Sequence, residues 1–312
     1  MSWRRTLDLV RGGQVPLAAP TIETASRLTH ALRNLSDPGG RSRWLHHRWI
    51  MLFDELMATL GPDALPPGYH ALCLGAGIVN PLALPLLLFF GGAERIWVVE
   101  PGMTGPADDW RARWGFEELV LRILVGDVRS RHFARPPTDL DRFADPRGVF
   151  FGADLTAALR TNTVRLVSQY FEDAAIPADT VHLITSRSVL EHVTETERCF
   201  DGMAQVMAPG GVMVHWIDLS AHDDGDPFAF YYAAPATNGA RRRDDLNGLR
   251  LSDYLTAFQS RGFSCRVVDR TLASGYDVRR RALLERYRRY DDDDLRCRRA
   301  VIVARADGAA MP

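Results

Sequence analysis

The sequence predicts an α/β fold in which helices cover both faces of a mostly parallel sheet, and three observations predict it. From His70 onward, short apolar runs alternate with helix-length stretches, a pattern typical of parallel sheets buried on both faces. A tight glycine turn, Leu74-Gly75-Ala76-Gly77, follows the first run. A carboxylate, Glu100, follows the second run. Open sheets hold nucleotide-like ligands with these features in this order, so the sequence predicts an adenosine-containing cofactor.

Residues 1–65 are predicted to form an N-terminal helical cap. Apolar residues recur at three- and four-residue spacing between Trp49 and Leu60, and Gly61-Pro62 stops the pattern. The chain is therefore divided into this cap and a main domain at 66–312.

Seven apolar runs in the main domain are predicted strands. They are Ala71–Leu74, Ile96–Val99, Val164–Val167, Val181–Thr185, Val212–Ile217, Phe263–Asp269 and Ala300–Ala304. Helices are predicted at Pro81–Phe90, which is too short to cross a bilayer, at Ser252–Arg261, and at the arginine-rich stretch Val278–Tyr290. Two aperiodic stretches, about 126–162 and 220–248, are predicted insertions. Both would lie near the ligand edge if they leave the carboxyl ends of strands.

Composition favours a small-molecule partner. The 312 residues are 46% hydrophobic and 25% charged, and 38 basic and 39 acidic residues leave a net charge of −1. The net charge therefore gives no electrostatic attraction to nucleic acid or to an anionic membrane, and we expect neither as a partner. Every basic residue is an arginine, which excludes mechanisms that need a P-loop or Schiff-base lysine.

The cysteines and the N-terminus indicate a cytoplasmic protein. Cys73, Cys199, Cys265 and Cys297 are far apart, without the close pairs that structural zinc or a redox motif requires. The first residues lead into mixed polar sequence without the apolar segment of a secretory signal. We therefore expect reduced thiols and cytoplasmic localisation.

The glycine turn and the acid predict how the cofactor is held. Gly75 and Gly77 let backbone amides approach a ligand without a Cβ in the way. Asn80 occupies the place of the third glycine of a dinucleotide fingerprint, which disfavours a pyrophosphate ligand. Glu100 can accept hydrogen bonds from both hydroxyls of a ribose.

Further motifs follow downstream. They are Phe171-Glu172-Asp173, the segment Ser186-Arg187-Ser188-Val189-Leu190-Glu191-His192-Val193, and Ala208-Pro209-Gly210-Gly211. With these motifs, roughly residues 66–304 resemble the class I S-adenosylmethionine-dependent methyltransferases, especially a type 11-like bacterial group loosely associated with glycan and secondary-metabolite gene clusters. The resemblance implies a Rossmann-like, mostly parallel seven-stranded sheet, S-adenosylmethionine as cofactor, and methyl transfer to a small-molecule or glycan-type acceptor. O-methylation is favoured over N-methylation, because a hydroxyl needs a base more than a neutral amine does.

The resemblance also implies cofactor-binding residues by position. They are Gly75, Ala76, Gly77, Asn80, Glu100, Phe171, Glu172, Asp173 and Ser186. In the family the glycine turn faces the methionine part of the cofactor, and the acid after the second strand holds the ribose. Glu172 or Asp173 would meet the adenine amine, with Phe171 against the base. Cys73 stands where the family often has an acid.

Three residues near predicted strand ends are candidate catalytic residues. His192 and His222 could take a proton from the acceptor, and Asp218 lies at the end of the fifth strand. Each could instead be a cap or loop anchor. Asp218, His222, Asp223, Asp224 and Asp226 would suit a hard divalent cation, but an acidic run is usually a solvated loop, and we expect no metal.

Two other functions remain open from the sequence. An NAD(P)-dependent oxidoreductase also needs a glycine turn and an acid after the second strand. A non-catalytic protein of the same fold could keep the pocket as a binding surface. The oligomeric state is open as well, with a homodimer as one option.

Overall fold

The computed structural model describes residues 41–76, 80–102, 110–124, 128–145, 148–149, 154–221, 228–232, 246–275 and 277–306. The α-helices in these ranges are α1 Arg41–Leu60, α2 Ala83–Phe90, α3 Trp110–Leu124, α4 Leu155–Ala158, α5 Thr196–Val206, α6 Leu251–Gln259 and α7 Asp292–Arg296. The strands are β1 His70–Leu74, β2 Arg95–Val99, β3 Val164–Val167, β4 Val181–Arg187, β5 Met207–Asp218, β6 Phe263–Leu272 and β7 Cys297–Ala306. No helix among these residues is long and apolar enough to span a membrane.

The seven strands form one sheet in the order β3-β2-β1-β4-β5-β7-β6. The pairs β1–β2, β2–β3 and β4–β5 are parallel, whereas β7 runs antiparallel to both β5 and β6. This confirms the predicted mostly parallel, Rossmann-like α/β fold. The chain also divides into two compact units, between Tyr170 and Phe171.

The first unit contains the buried helix that the sequence predicts. All eight residues of α2 are buried, as its uniformly apolar sequence requires. Pro85 is the third residue of the helix, where a missing N–H costs no intrahelical hydrogen bond. In α1, Leu52, Phe53 and Leu56 are buried, in line with the periodicity of the predicted cap. Residues 1–40 of that cap lie outside the described residues.

In the second unit, α5 and α6 pack on aromatic residues. Phe200 of α5 contacts Tyr254 and Phe258 of α6, with ring centroids 6.1 and 5.3 Å apart. Phe258 also stacks on His215 of β5 at 5.4 Å. Both helices bury these faces because apolar residues recur at helical spacing.

The predicted helix at Val278–Tyr290 is wrong. The structure has short 3₁₀ turns at Arg280–Ala282 and Glu285–Tyr287. The backbone N–H of Leu284 donates to the carbonyl of Tyr231, and Tyr232 pairs with Leu283. These bonds to another segment replace the i→i−4 bonds of a helix, so tertiary pairing overrides local propensity.

This segment and residues 228–232 share one aromatic core, which we call the tyrosine cluster. Its buried members are Phe228, Tyr231, Tyr232, Val278, Leu283, Tyr287, Tyr290 and Leu295. The first three follow β5, and the others lie between β6 and β7. Since Asp218 at the end of β5 pairs with Arg299 near the start of β7, both segments leave the sheet at the same edge.

Two further boundaries differ from the predictions. β5 starts at Met207 rather than Val212, so the Pro209-Gly210-Gly211 sequence belongs to the strand. The predicted insertion at 126–162 contains the 3₁₀ turn Pro137–Arg142, the short α4 and a bridge between Ala144 and Leu159. Its remaining described parts are irregular.

Candidate functional site

The glycine turn lies directly after β1. Gly75 has a φ of +59°, in the left-handed region that glycine adopts without strain. Its N–H donates to the carbonyl of Val99 at 2.8 Å, which extends the pairing of β1 with β2 by one residue. Ala76 is half-buried, and Gly77 lies outside the described residues. The turn therefore needs a glycine at its first position.

Asn80 packs against α3. The residue is 2% exposed, and a Cβ at Gly115 would lie 2.9 Å from its side-chain nitrogen. Its Oδ1 is buried and has no hydrogen-bond partner in the described part of the chain. Asn80, which stands in the third glycine position of a dinucleotide fingerprint, therefore contacts α3 and has an oxygen that accepts no hydrogen bond from the described residues.

Glu100 lies at the carboxyl end of β2. Its backbone N–H donates to the carbonyl of Val167 at 3.0 Å, and Gly102 N–H donates to its Oε1 at 3.1 Å. The residue is half-buried. The glycine turn and this carboxylate therefore follow two neighbouring parallel strands, at the edge where open α/β sheets bind ligands.

Cys73 is a buried thiol within β1. Burial raises its pKa well above the ordinary value, because a thiolate would be desolvated there. The residue therefore supplies no negative charge in place of the acid that the family often has.

In the second unit, Phe171, Glu172 and Asp173 form a 3₁₀ turn. Phe171 is buried, and a Cβ at Gly202 of α5 would lie 3.0 Å from its ring. Asp173 is exposed and forms an ion pair with Arg198 at 3.1 Å. Glu172 is half-buried, and its charge contributes to the raised pKa of Cys199, after the larger effect of burial. Of the two acids, Asp173 is the one engaged by an arginine.

Ser186 lies near the end of β4 and is buried. Its hydroxyl is 2.8 Å from Nδ1 of His215, the residue opposite it on β5. Burial lowers the pKa of His215 to about 3, so the imidazole is neutral at working pH. The predicted cofactor residue Ser186 thus has a partner within the sheet.

The candidate catalytic residues have different surroundings. His192 is exposed, at the end of the 3₁₀ turn Leu190–His192. Asp218 is half-buried, and its Oδ1 accepts hydrogen bonds from the N–H and the hydroxyl of Ser220, at 3.1 and 2.5 Å. His222 lies outside the described residues. The described residues contain no group of three or more potential metal ligands, and Asp218 is the one described member of the predicted acidic set.

The sequence analysis missed a candidate base, Glu191. The residue is only 3% exposed, and burial raises its pKa to about 7, with a smaller contribution from the charge of Asp218. Asp218 N–H donates to its Oε1 at 3.3 Å. Carboxyls with this pKa can exchange protons near neutral pH. In the sequence, the one sign of a role for Glu191 is its place in the Leu-Glu-His motif. That motif does not indicate that the carboxyl group is buried.

Asn247 holds the turn that carries Glu191. Its Nδ2 donates to the carbonyls of Leu190 and Val193, at 2.6 and 3.1 Å. Its backbone N–H donates to the carbonyl of Glu191 at 2.8 Å. Tyr254 donates its hydroxyl hydrogen to the Asn247 side-chain oxygen at 3.3 Å. The backbone and the side chain of Asn247 together therefore hold the carbonyls of Leu190, Glu191 and Val193.

The strand order defines a Rossmann-like α/β protein, and proteins of this kind bind nucleotide-type ligands at the carboxyl ends of their parallel strands. Residues 147–215 match the model of a methyltransferase domain family, and this range contains the Phe171–Asp173 turn, the Glu191 segment and Pro209-Gly210-Gly211. Over these residues the chain is similar to a methyltransferase domain, which is the kind of family that the sequence motifs resemble. This similarity supports methyl transfer as the activity and S-adenosylmethionine as the cofactor.

Solved structures with a similar fold include methyltransferases at low sequence identity. A chain from the complex between the Haloferax volcanii Trm112 methyltransferase activator and a methyltransferase is 13% identical, with 86% of this chain and 94% of that chain covered and a TM-score of 0.43. An S-adenosylmethionine-dependent methyltransferase from Mesorhizobium loti is 14% identical, with 80% and 96% covered and a TM-score of 0.41.

A third similar structure is geranyl diphosphate C-methyltransferase from Streptomyces coelicolor, solved with Mg²⁺, geranyl diphosphate and S-adenosyl-L-homocysteine. It is 12% identical, with 83% of this chain and 77% of that chain covered and a TM-score of 0.43. The comparison with curated protein sequences finds no match. These similarities do not identify an acceptor.

Proposed function

We propose that this protein is an S-adenosylmethionine-dependent methyltransferase, which binds its cofactor at the glycine turn after β1 and holds the cofactor's ribose with Glu100. The observation that carries the proposal is the position of Gly75 and Glu100 directly after neighbouring parallel strands. A carboxylate at such a strand end can accept both hydrogen bonds of a ribose diol.

The residues at this edge fit such a cofactor. The positive φ of Gly75 keeps a side chain out of the turn, and the unused acceptor of Asn80 suits a hydrogen-bond donor. In the second unit, we propose that Phe171 packs near the adenine and that Glu172, rather than the ion-paired Asp173, accepts its amine. Ser186 stays in the proposed set, with its hydroxyl oriented by His215.

Once bound, S-adenosylmethionine supplies a methyl group already activated by the sulfonium. The protein therefore has to align the acceptor, exclude water and remove one proton. We propose O-methylation of a small-molecule or glycan-type acceptor, with His192, His222 and Asp218 as candidate groups beside it. Asp218 is the last residue of β5, and its side chain accepts two hydrogen bonds from Ser220, which suits a role in positioning.

The proposal extends to the setting of the enzyme. We propose a cytoplasmic bacterial enzyme of small-molecule or secondary metabolism, without nucleic-acid or membrane partners, and with a homodimer as one possible assembly. The near-zero net charge supports the absence of polyanionic partners.

Calorimetric titration tests the cofactor site. S-adenosylmethionine and S-adenosylhomocysteine should bind, and Glu100→Ala should weaken both by about 10- to 100-fold, because a charge-assisted pair of hydrogen bonds is lost. Glu94→Ala is the matched control, since Glu94 is an exposed carboxylate at the amino end of the same strand. Unchanged affinity in Glu100→Ala would refute the ribose assignment. Binding of a nicotinamide dinucleotide in place of the adenosyl ligands would refute the proposed site as a whole.

A further inference from the structure

Glu191 occupies a buried position where two parallel strands end. It lies in the 3₁₀ turn that follows β4, and its Oε1 accepts the N–H of Asp218, the last residue of β5. The carboxyl ends of parallel strands form the ligand edge of open α/β sheets. The carboxyl group is therefore placed at this edge, and the backbone N–H of Asp218 orients one of its oxygens.

The second oxygen of Glu191 has no partner. Oε2 is buried and makes no hydrogen bond to any described residue. Buried carboxylates normally have their oxygens paired, because desolvation without a hydrogen bond costs several kcal/mol. An unsatisfied group of this kind points to a ligand or a catalytic role.

The groups around this carboxyl do not neutralise it. From β5 it faces Asp218, whose carboxylate lies 3.7 Å from the guanidinium of Arg299 on β7. From α6 it faces Tyr254, whose pKa is raised by burial and, to a smaller extent, by the charge of Glu191. His192 is its neighbour in the turn. No described cation forms an ion pair with Glu191, so the group can exist in both protonation states.

We propose that Glu191 is the proton acceptor of the methyl-transfer reaction. The inference rests on the proposed function. As the acceptor oxygen forms a bond to the methyl carbon, the carbon–sulfur bond breaks and its electron pair stays on sulfur. The acceptor O–H bond breaks, its proton goes to Oε2, and Glu191 later returns the proton to solvent. Oε1 stays hydrogen-bonded to Asp218 throughout, which keeps Oε2 oriented.

A base in this role must lie within several ångströms of the cofactor's sulfur. S-adenosylmethionine and S-adenosylhomocysteine differ by one methyl group and by the positive charge on that sulfur. At about 7 Å and an effective dielectric of about 20, that charge should lower the pKa of Glu191 by about 1 to 2 units. The neutral product should not have this effect.

Proton release on binding therefore tests the proposal without an acceptor. Titrations of the full chain at pH 7 in buffers of different ionisation enthalpy measure the protons released. Because the pKa of Glu191 is about 7, we expect S-adenosylmethionine to release about half a proton more than S-adenosylhomocysteine. Equal release by the two ligands in the wild-type chain would overturn the proposal.

Two variants assign the proton to Glu191. Glu191→Gln keeps an acceptor oxygen for the Asp218 N–H but cannot take a proton, so the difference between the two ligands should disappear. Glu195→Gln changes an exposed carboxylate four residues away and should leave the difference intact. If the difference in proton release between the two ligands persists in Glu191→Gln, another group releases the proton and the proposal is overturned.

The outcome separates this inference from the proposed function. If neither adenosyl ligand binds, the proposed cofactor site has failed. If both bind and the proton difference is absent, the cofactor site stands and the role of Glu191 has failed. Once an acceptor is known, kcat of Glu191→Gln should fall by about 10²- to 10⁴-fold with little change in cofactor affinity. A merely structural Glu191 would leave kcat and its pH profile unchanged in this variant.

Discussion

Two buried ionisable residues of the second unit have pKa values displaced in opposite directions. Burial lowers the pKa of His215 to about 3 and raises that of Glu191 to about 7. In both cases desolvation disfavours the charged form. His215 has Ser186 and the ring of Phe258 as neighbours, whereas Glu191 has the backbone of Asp218. Their effects on stability should therefore oppose each other.

The sign follows from proton binding in each state. The unfolded chain protonates His215 near pH 6.5 and the folded chain only near 3, so stability rises with pH between these values. The folded chain keeps a proton on Glu191 up to about pH 7, and the unfolded chain loses it near 4.5. This group therefore makes stability fall as pH rises from 4.5 to 7. Each group changes the free energy of unfolding by about 1.4 kcal/mol per pH unit, with opposite signs. Between pH 4.5 and 6.5 the two contributions should therefore cancel.

Single variants should reveal these opposed slopes. Relative to wild type, Glu191→Gln should gain stability as pH rises from 4.5 to 6.5, because only His215 then titrates. His215→Phe should lose stability over the same window. Urea unfolding at several pH values measures both, with Ser186→Ala as a control that keeps both titrating groups. Parallel pH dependence in all four proteins would contradict the displaced pKa values.

At the scale of elements, Arg250 joins segments that are distant in sequence. It is fully buried, and its guanidinium donates to the carbonyls of Leu219 at 2.7 Å, Asp294 at 2.8 Å and Cys297. Its own N–H donates to Asp253 at the start of α6. One side chain therefore ties the residue after β5 to α7 and to the start of β7.

Arg250→Lys should destabilise the protein by about 2–4 kcal/mol. The ammonium retains the charge but lacks the planar set of donors, so at least one buried carbonyl loses its partner. Arg289→Lys is the matched control, because Arg289 is largely exposed in its ion pair with Asp253 and should change stability by about 0.5 kcal/mol or less. Denaturant unfolding measures both. Equal effects of the two substitutions would show that the three carbonyl bonds contribute little.

The elements also show which features the sequence could predict. The strands and α2 were predictable because their signals are local, such as the apolar run of Pro81–Phe90. The 3₁₀ turns between Val278 and Tyr290 were not, since pairing with Tyr231 and Tyr232 replaces the helix. Of the site, the positions of Gly75 and Glu100 followed from strand order. Glu191 was missed because the turn that carries it is held by Asn247, a residue far along the chain.

At the scale of the whole molecule, the absence of lysine makes the net charge unusually insensitive to alkaline pH. Lysines titrate near pH 10, whereas arginines keep their charge beyond pH 12. Among the other groups, burial raises the pKa of Cys73, Cys199 and Cys297, and of Tyr69 and Tyr254. A chain with a net charge of −1 at pH 7 should therefore gain little further charge up to about pH 10.

Low colloidal stability should consequently extend over a broad pH range. We expect the electrophoretic mobility to stay near zero from pH 7 to 10, and light scattering at low salt to show self-association throughout. Histidine ordinarily gains a positive charge near pH 6, and the sequence contains nine histidines, so solubility should rise below that pH. A mobility that becomes steadily more negative from pH 7 to 10 would contradict this expectation.

The tyrosine cluster has a consequence for exchanging these segments with those of another protein. Tyr231 packs on Tyr287 at 4.8 Å, and Leu284 donates its backbone N–H to the carbonyl of Tyr231. The two segments therefore form one packing unit built from two separate parts of the sequence. A chimera that takes residues 219–250 from another protein of this fold must take the β6–β7 segment as well. Transplanting either piece alone would leave a row of aromatic rings facing water.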